Sequence, residues 1–143
     1  MDYSYFEEDS LADVAFRARA DNRESLFVAA ADATMNVMVE NLDSVQPAVR
    51  RAIHAEEASC EMLLFNLLQT LIYYKDAESL LLRVTRVSIK QANDAFVLDA
   101  ESQGEEMDPK RHSLNTDVKA VTLSRFSVSE DSSGWEAYVV LDV

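Results

Sequence analysis

A chain of 143 residues, 48% of them apolar, is long enough to bury a core and too apolar to be disordered. Its 26 acidic residues against 13 basic ones leave a formal net charge of −13 with no basic cluster, which argues against gripping a nucleic-acid backbone and favours cations or a basic protein partner. A lone cysteine, Cys60, excludes an internal disulfide and fits a reducing cytoplasm; the acidic opening lacks the apolar core of a signal peptide, and no stretch is apolar enough to span a membrane.

Residues 3–7 read as a short strand running into the acidic Glu7-Glu8-Asp9. Val14, Phe16 and Ala18 alternate with Ala15, Arg17 and Arg19, a second strand with one wet face, and Asp13 stands at its start. Asp21, followed three residues later by Glu24, has the form of a capping box. Phe27, Ala30, Ala31, Thr34, Met35 and Met38 then form one apolar stripe, which predicts a helix over 22–40. Residues 41–47 make its exit loop. Val49, Arg51, Ile53 and Ala55 alternate with Arg50, Ala52 and His54 in a weak strand, with His54 expected to face solvent. Residues 56–59 lead into a second helix, predicted from 60 to about 75. Its main stripe is Leu64, Leu67, Leu68 and Leu71, widened by Met62, Leu63, Phe65 and Ile72, so it should sit at the centre of the core with Cys60 as a small buried hydrophobe.

Residues 80–90 and 95–102 read as strands joined by a turn over 91–94, and a slip of the apolar phase between Val84 and Val87 predicts a bulge. The polar stretch 104–115 reads as a long loop, 117–128 as extended, and 130–134 as a turn. In the final stretch Trp135, Ala137, Val139 and Leu141 alternate with Glu136, Tyr138, Val140 and Asp142, an apolar strand expected to be tied down inside a sheet. That strand sets Asp142 beside the α-carboxylate of Val143, two anions that repel unless a cation or a basic group lies between them. The order β-β-α-β-α-β-β-β-β predicts one α+β domain over 1–143, two long helices on an antiparallel or mixed sheet, with the second and last strands bringing Asp13 near Asp142.

The signatures of several enzyme classes are missing. Gly104 and Gly134 are the only glycines, so there is no phosphate loop, and neither a Gly-x-Ser-x-Gly elbow nor a His-Glu-x-x-His or Cys-x-x-Cys motif occurs. A protein without catalytic activity of its own is expected.

Three stretches taken together resemble the archease family. Asp9-Ser10-Leu11-Ala12-Asp13-Val14 is similar to its opening Asp-His-Thr-Ala-Asp motif. His112-Ser113-Leu114 with Asp117-Val118-Lys119-Ala120-Val121-Thr122 is similar to its His…Val-Lys-Ala-Val/Ile-Thr block, and Val139-Val140-Leu141-Asp142-Val143 to its C-terminal Leu-Asp plus a final aliphatic residue. Order and spacing carry the resemblance, which covers essentially the whole chain. It implies a small cytoplasmic protein, expected to be monomeric, that serves as cofactor of an RtcB-type RNA ligase in tRNA splicing and RNA repair, promoting the ligase's guanylylation and turnover. It also implies a divalent cation held by Asp13, Asp142 and the carboxylate of Val143, an oxygen-only set that suits Ca²⁺, Mg²⁺ or Mn²⁺. Asp9 or Ser10 would be further or supporting ligands, and Lys119 would contact the acids or the ligase's nucleotide. The chain departs from the family pattern where His-Thr becomes Ser10-Leu11, where the aromatic-His pair becomes Leu123-Ser124, and where the central helix reads Leu67 and Gln69-Thr70. The alternative is an interaction or metal-binding module that no longer serves a ligase.

Overall fold

The structure, a computed structural model, describes residues 2–6 and 13–143. Its elements follow the expected order: β1 (Asp2–Phe6), β2 (Asp13–Ala20), α1 (Arg23–Met38), β3 (Val49–Glu57), α2 (Cys60–Glu78), β4 (Leu80–Ala92), β5 (Ala95–Glu106), β6 (Ala120–Asp131) and β7 (Gly134–Asp142). The strands form two antiparallel sheets, one ordered β1-β2-β7-β6 and the other β3-β5-β4. The final strand is therefore tied down as expected, with a neighbour on each side.

Helix α1 is capped by Asn22 and not by Asp21. Asn22 is extended, and its Oδ1 accepts from the Ser25 amide at 2.8 Å, the reach a capping side chain needs to satisfy a donor in the first turn. The predicted stripe is buried, and so are Leu26, Ala29 and Ala33, because α1 packs against β4 of one sheet and β2 of the other. Helix α2 starts from the Ser59 cap and runs a turn beyond the predicted end, closing at Ser79 in the left-handed region. It also touches both sheets, so one continuous core joins Phe16, Val139 and Leu141 to Ile53, Leu82 and Leu98. Cys60 is half-buried and not fully enclosed, since it occupies the first residue of α2, where the Arg23 guanidinium lies 3.5 Å from its sulfur.

Three loop expectations are corrected. The turn expected over 91–94 is only Asn93 and Asp94, since Gln91 and Ala92 still pair with Phe96 and Ala95. Gly104 lies inside β5, paired with Val49 and Leu82, and the long connection begins only after Glu106. A Cβ at Gly104 would penetrate the Leu81 carbonyl, so glycine marks a close backbone approach there and not a turn. At the other end, pairing of β6 with β7 persists to Asp131↔Gly134, which shrinks the turn to Ser132 and Ser133. The bulge in β4 is present between Val84 and Arg86. A larger irregularity in β6 was not foreseen: Thr122 pairs with Val140 and Ser127 with Tyr138, so residues 123–126 stand against Val139 alone. Arg125, in this looped-out segment, takes a φ of 57°. Among the described residues no helix is long and apolar enough to cross a membrane.

Candidate cation site and its surroundings

Side chains directly opposite each other in antiparallel strands share a face, and their Cβ atoms lie about 4.5–5.5 Å apart. Register therefore brings three residues into one row: Asp13 of β2 stands opposite Asp142 of β7, which stands opposite Ala120 of β6. The next row on the same face is Ala15, Val140 and Thr122. This is the face turned away from the shared core, whose side is taken by Phe16, Ala18, Val139 and Leu141. Two carboxylates directly opposite each other repel, and both Asp13 and Asp142 are only half-buried.

The ends of the row are held firmly. Val143 is half-buried with its side chain against the core, so its backbone is pinned at the end of β7. Val118 is fully buried, and the Lys119 amide donates to the Asp142 carbonyl at 2.8 Å. The Lys119 side chain is exposed beside this anchored backbone. Asp9 and Ser10 lie outside the described residues, so of the expected set the structure brings together Asp13, Asp142, Val143 and the backbone of Lys119.

Behind the site a second charged group fixes the approach to β6. Lys75 is 5% exposed, and its Nζ donates to Asp117 at 2.5 Å, Asp76 at 2.6 Å and the Val118 carbonyl at 2.7 Å. Burial lowers its pKa, but the two carboxylates outweigh burial and raise it, so the lysine keeps its charge at neutral pH. The sequence did carry a signal for it. Lys75 stands four residues after Leu71 on the apolar stripe, where a charged residue needs partners.

His112 is also buried. Its Nδ1 accepts from the Asp108 amide at 2.9 Å, which assigns the proton to Nε2, 3.2 Å from Glu105 Oε2. Burial, reinforced by the neighbouring Arg111 cation, pushes its pKa down, so it is a neutral loop anchor. His54 is exposed as expected, with Asp99 of the adjacent strand raising its pKa through a 2.8 Å hydrogen bond.

The two opposed aspartates of this row are oxygen donors of the kind that a hard divalent cation takes. Among the described residues no group of three His, Cys, Asp or Glu side chains could hold a metal, and a site at this row would need an oxygen donor beyond the two aspartates. The Thr122 hydroxyl oxygen, in the row next to Asp142, is buried with no hydrogen-bond partner, and it alone among the described buried side-chain oxygens and nitrogens is in that state. Nothing in the sequence marks it, since an orphaned hydroxyl is a property of the packed structure.

Two antiparallel sheets bridged by two helices, with paired acids where the second and last strands meet, define the class: a two-sheet α+β protein. The chain matches the model of the Archease protein family (MTH1598/TM1083) over residues 3–143 and belongs to that family. It is 31% identical over 142 residues to the protein archease of Methanosarcina barkeri, covering 99% of this chain and 95% of that protein. Against the protein archease of Pyrococcus abyssi it is 32% identical over 133 residues, 92% of this chain and 93% of the other. The solution structure of protein 1598 from Methanobacterium thermoautotrophicum superposes with a TM-score of 0.84 at 28% identity, covering 99% of this chain and 98% of that one. The Thermotoga maritima archease, whose crystal structure describes it as a possible chaperone, shares the fold with a TM-score of 0.59 at 15% identity over 96% of both chains.

Proposed function

We propose that this member of the archease family is a protein cofactor of an RtcB-type RNA ligase, promoting the ligase's guanylylation and turnover through an acidic tip that holds a divalent cation. The observation that carries the reading is the register of β2 on β7, which sets Asp13 opposite Asp142 beside the terminal residue. Asp13, Asp142 and the Val143 carboxylate would hold the cation, and when bound it would neutralise carboxylates that otherwise repel. Lys119 offers a cationic side chain from an anchored backbone position next to this tip. With a net charge of −13 the protein works by touching the ligase and not by gripping RNA. Asp9 and Ser10 are proposed as supporting oxygen donors.

The test is guanylylation of the cognate ligase by GTP and Mn²⁺, with and without this protein and without RNA. Stimulation that survives the absence of RNA and disappears in Asp142→Ala or Lys119→Ala is expected. Absence of stimulation by the wild-type protein sinks the ligase reading. It would favour a member that binds metal or partners without serving a ligase, the alternative suggested by Ser10-Leu11 and Leu123-Ser124 in place of the family's histidine-bearing pairs.

A further inference from the structure

The unpaired hydroxyl of Thr122 requires a physical cause. A buried polar group without a partner is costly, and native folds leave few of them. Valine has nearly the same shape, suits a strand better than a wasted hydroxyl, and is the residue already present at positions 121, 139 and 140 around it. Thr122 is the last residue of β6 in register before the looped-out segment 123–126, and bulges beside functional sites commonly re-aim a side chain. Its neighbours across the face are Val140 and Ala15, both buried although they lie outside the main core cluster. One row further on stand Ala120, Asp142 and Asp13. Alanines at 15 and 120 keep that corner of the face low, and Asp142 is the diagonal neighbour of Thr122 across the β6–β7 ladder.

We infer that Thr122 belongs to the cation site: its hydroxyl hydrogen-bonds a water bound to the cation that Asp13, Asp142 and the Val143 carboxylate hold. The inference rests on the cation reading above and assigns a residue to it. Three carboxylates leave a six- to eight-coordinate hard cation with positions for water, and such waters require protein acceptors or donors. A hydroxyl can play either part, whereas the valine isostere can play neither. Thr122 is thus a positioning residue, acting on the ion through its hydration shell.

The experiment is calorimetric titration of the full chain with CaCl₂, together with thermal unfolding with and without CaCl₂. The variants are Thr122→Val, Thr122→Ser and Asp142→Asn. Supporting an outer ligand is commonly worth 10- to 100-fold in metal affinity, so Thr122→Val should weaken Ca²⁺ at least about tenfold. Thr122→Ser, which keeps the hydroxyl, should stay within about threefold. Without cation, Thr122→Val should melt at or above the wild-type temperature, because it deletes an unsatisfied group, and its Ca²⁺-induced rise in Tm should shrink. Two results overturn the inference: wild-type affinity in Thr122→Val, or equal loss in Thr122→Ser and Thr122→Val. If the wild-type protein itself takes up no Ca²⁺, the cation reading fails and the role of Thr122 fails with it. If the wild type and Thr122→Val bind equally while Asp142→Asn does not bind, Thr122 alone is wrong.

Discussion

Replacing Lys75 with methionine separates two things the lysine does: it carries a charge into the core, and it holds the chain that leads to Lys119. Methionine keeps most of the stem volume, so the packing term is small. Asp117 and Asp76 have side-chain exposures of 66% and 57%, and on losing the ammonium they return to water at a cost of no more than about 1 kcal/mol. The Val118 carbonyl is different. It is buried with Lys75 Nζ as its donor, and leaving it unsatisfied costs about 1–3 kcal/mol. Relief of the buried charge's desolvation offsets part of this. The expected net loss is about 1–2 kcal/mol, or about 3–8 °C in Tm for a domain of this length. Hydrogen exchange should localise it: the Lys119 amide, bonded to the Asp142 carbonyl, should exchange faster, while amides in the middle of β5 change only with global stability. Asp117→Asn should cost less than Lys75→Met. A Lys75→Met protein as stable as wild type, with the Lys119 amide equally protected, would refute the argument that Lys75 secures the entry to β6.

Gly104→Ala should destabilise by more than about 3 kcal/mol or prevent folding, measured by urea unfolding, because the new methyl meets backbone atoms of Leu81 and Leu82 and not a flexible side chain. Asn22→Ala should cost about 1 kcal/mol in the same measurement, and Asp21→Ala almost nothing, since the cap is Asn22. His112 has a folded pKa below its ordinary 6.5, so the unfolded chain binds more protons in the window just beneath that value, and stability contributed by the neutral ring is lost as pH falls through it. His54, held above 6.5 by Asp99, acts in the opposite sense, adding stability below 6.5 that fades as pH rises. A His112→Gln protein should therefore lose less stability between pH 7 and 5.5 than the wild type does, as read by Tm against pH.

Strand and helix order could be read from the chain because alternation and helical stripes are local signals, as in Val14–Ala18 against Arg17 and Arg19, or Leu64 through Leu71. The division into two sheets could not be read, since alternation says which side of a strand is apolar and not which strand lies beside it. Gly104 reads as a loop residue because glycine signals a turn and a close backbone approach equally well, and the Leu81 carbonyl that decides between them is more than twenty positions away. Asp21 and Asn22 are both good caps, and only backbone geometry chose between them. At the site, the meeting of Asp13 and Asp142 followed from two strands expected to be neighbours, whereas the β6 irregularity and the orphaned Thr122 hydroxyl arise only when the sheet is assembled.

The position of β7 has a kinetic consequence. It lies between β2 and β6, so the four-stranded sheet lacks the strand that joins β6 to β2 until residues 134–142 have been made, and contacts such as Arg19 to Glu136 close over 117 positions. The three-stranded sheet, by contrast, comes from one contiguous stretch, β3 through β5 with α2 inside it. During synthesis that unit and α2 can form first, while β1 and β2 wait with an unpaired edge until the last strand emerges. Such long-range pairing is slow, and a nascent β2 bearing Ala15, Phe16 and Ala18 is the segment most exposed to wrong partners in the interval. The acidic row is assembled in the same step, so no partner that reads Asp13 together with Asp142 can recognise a chain that stops short of β7.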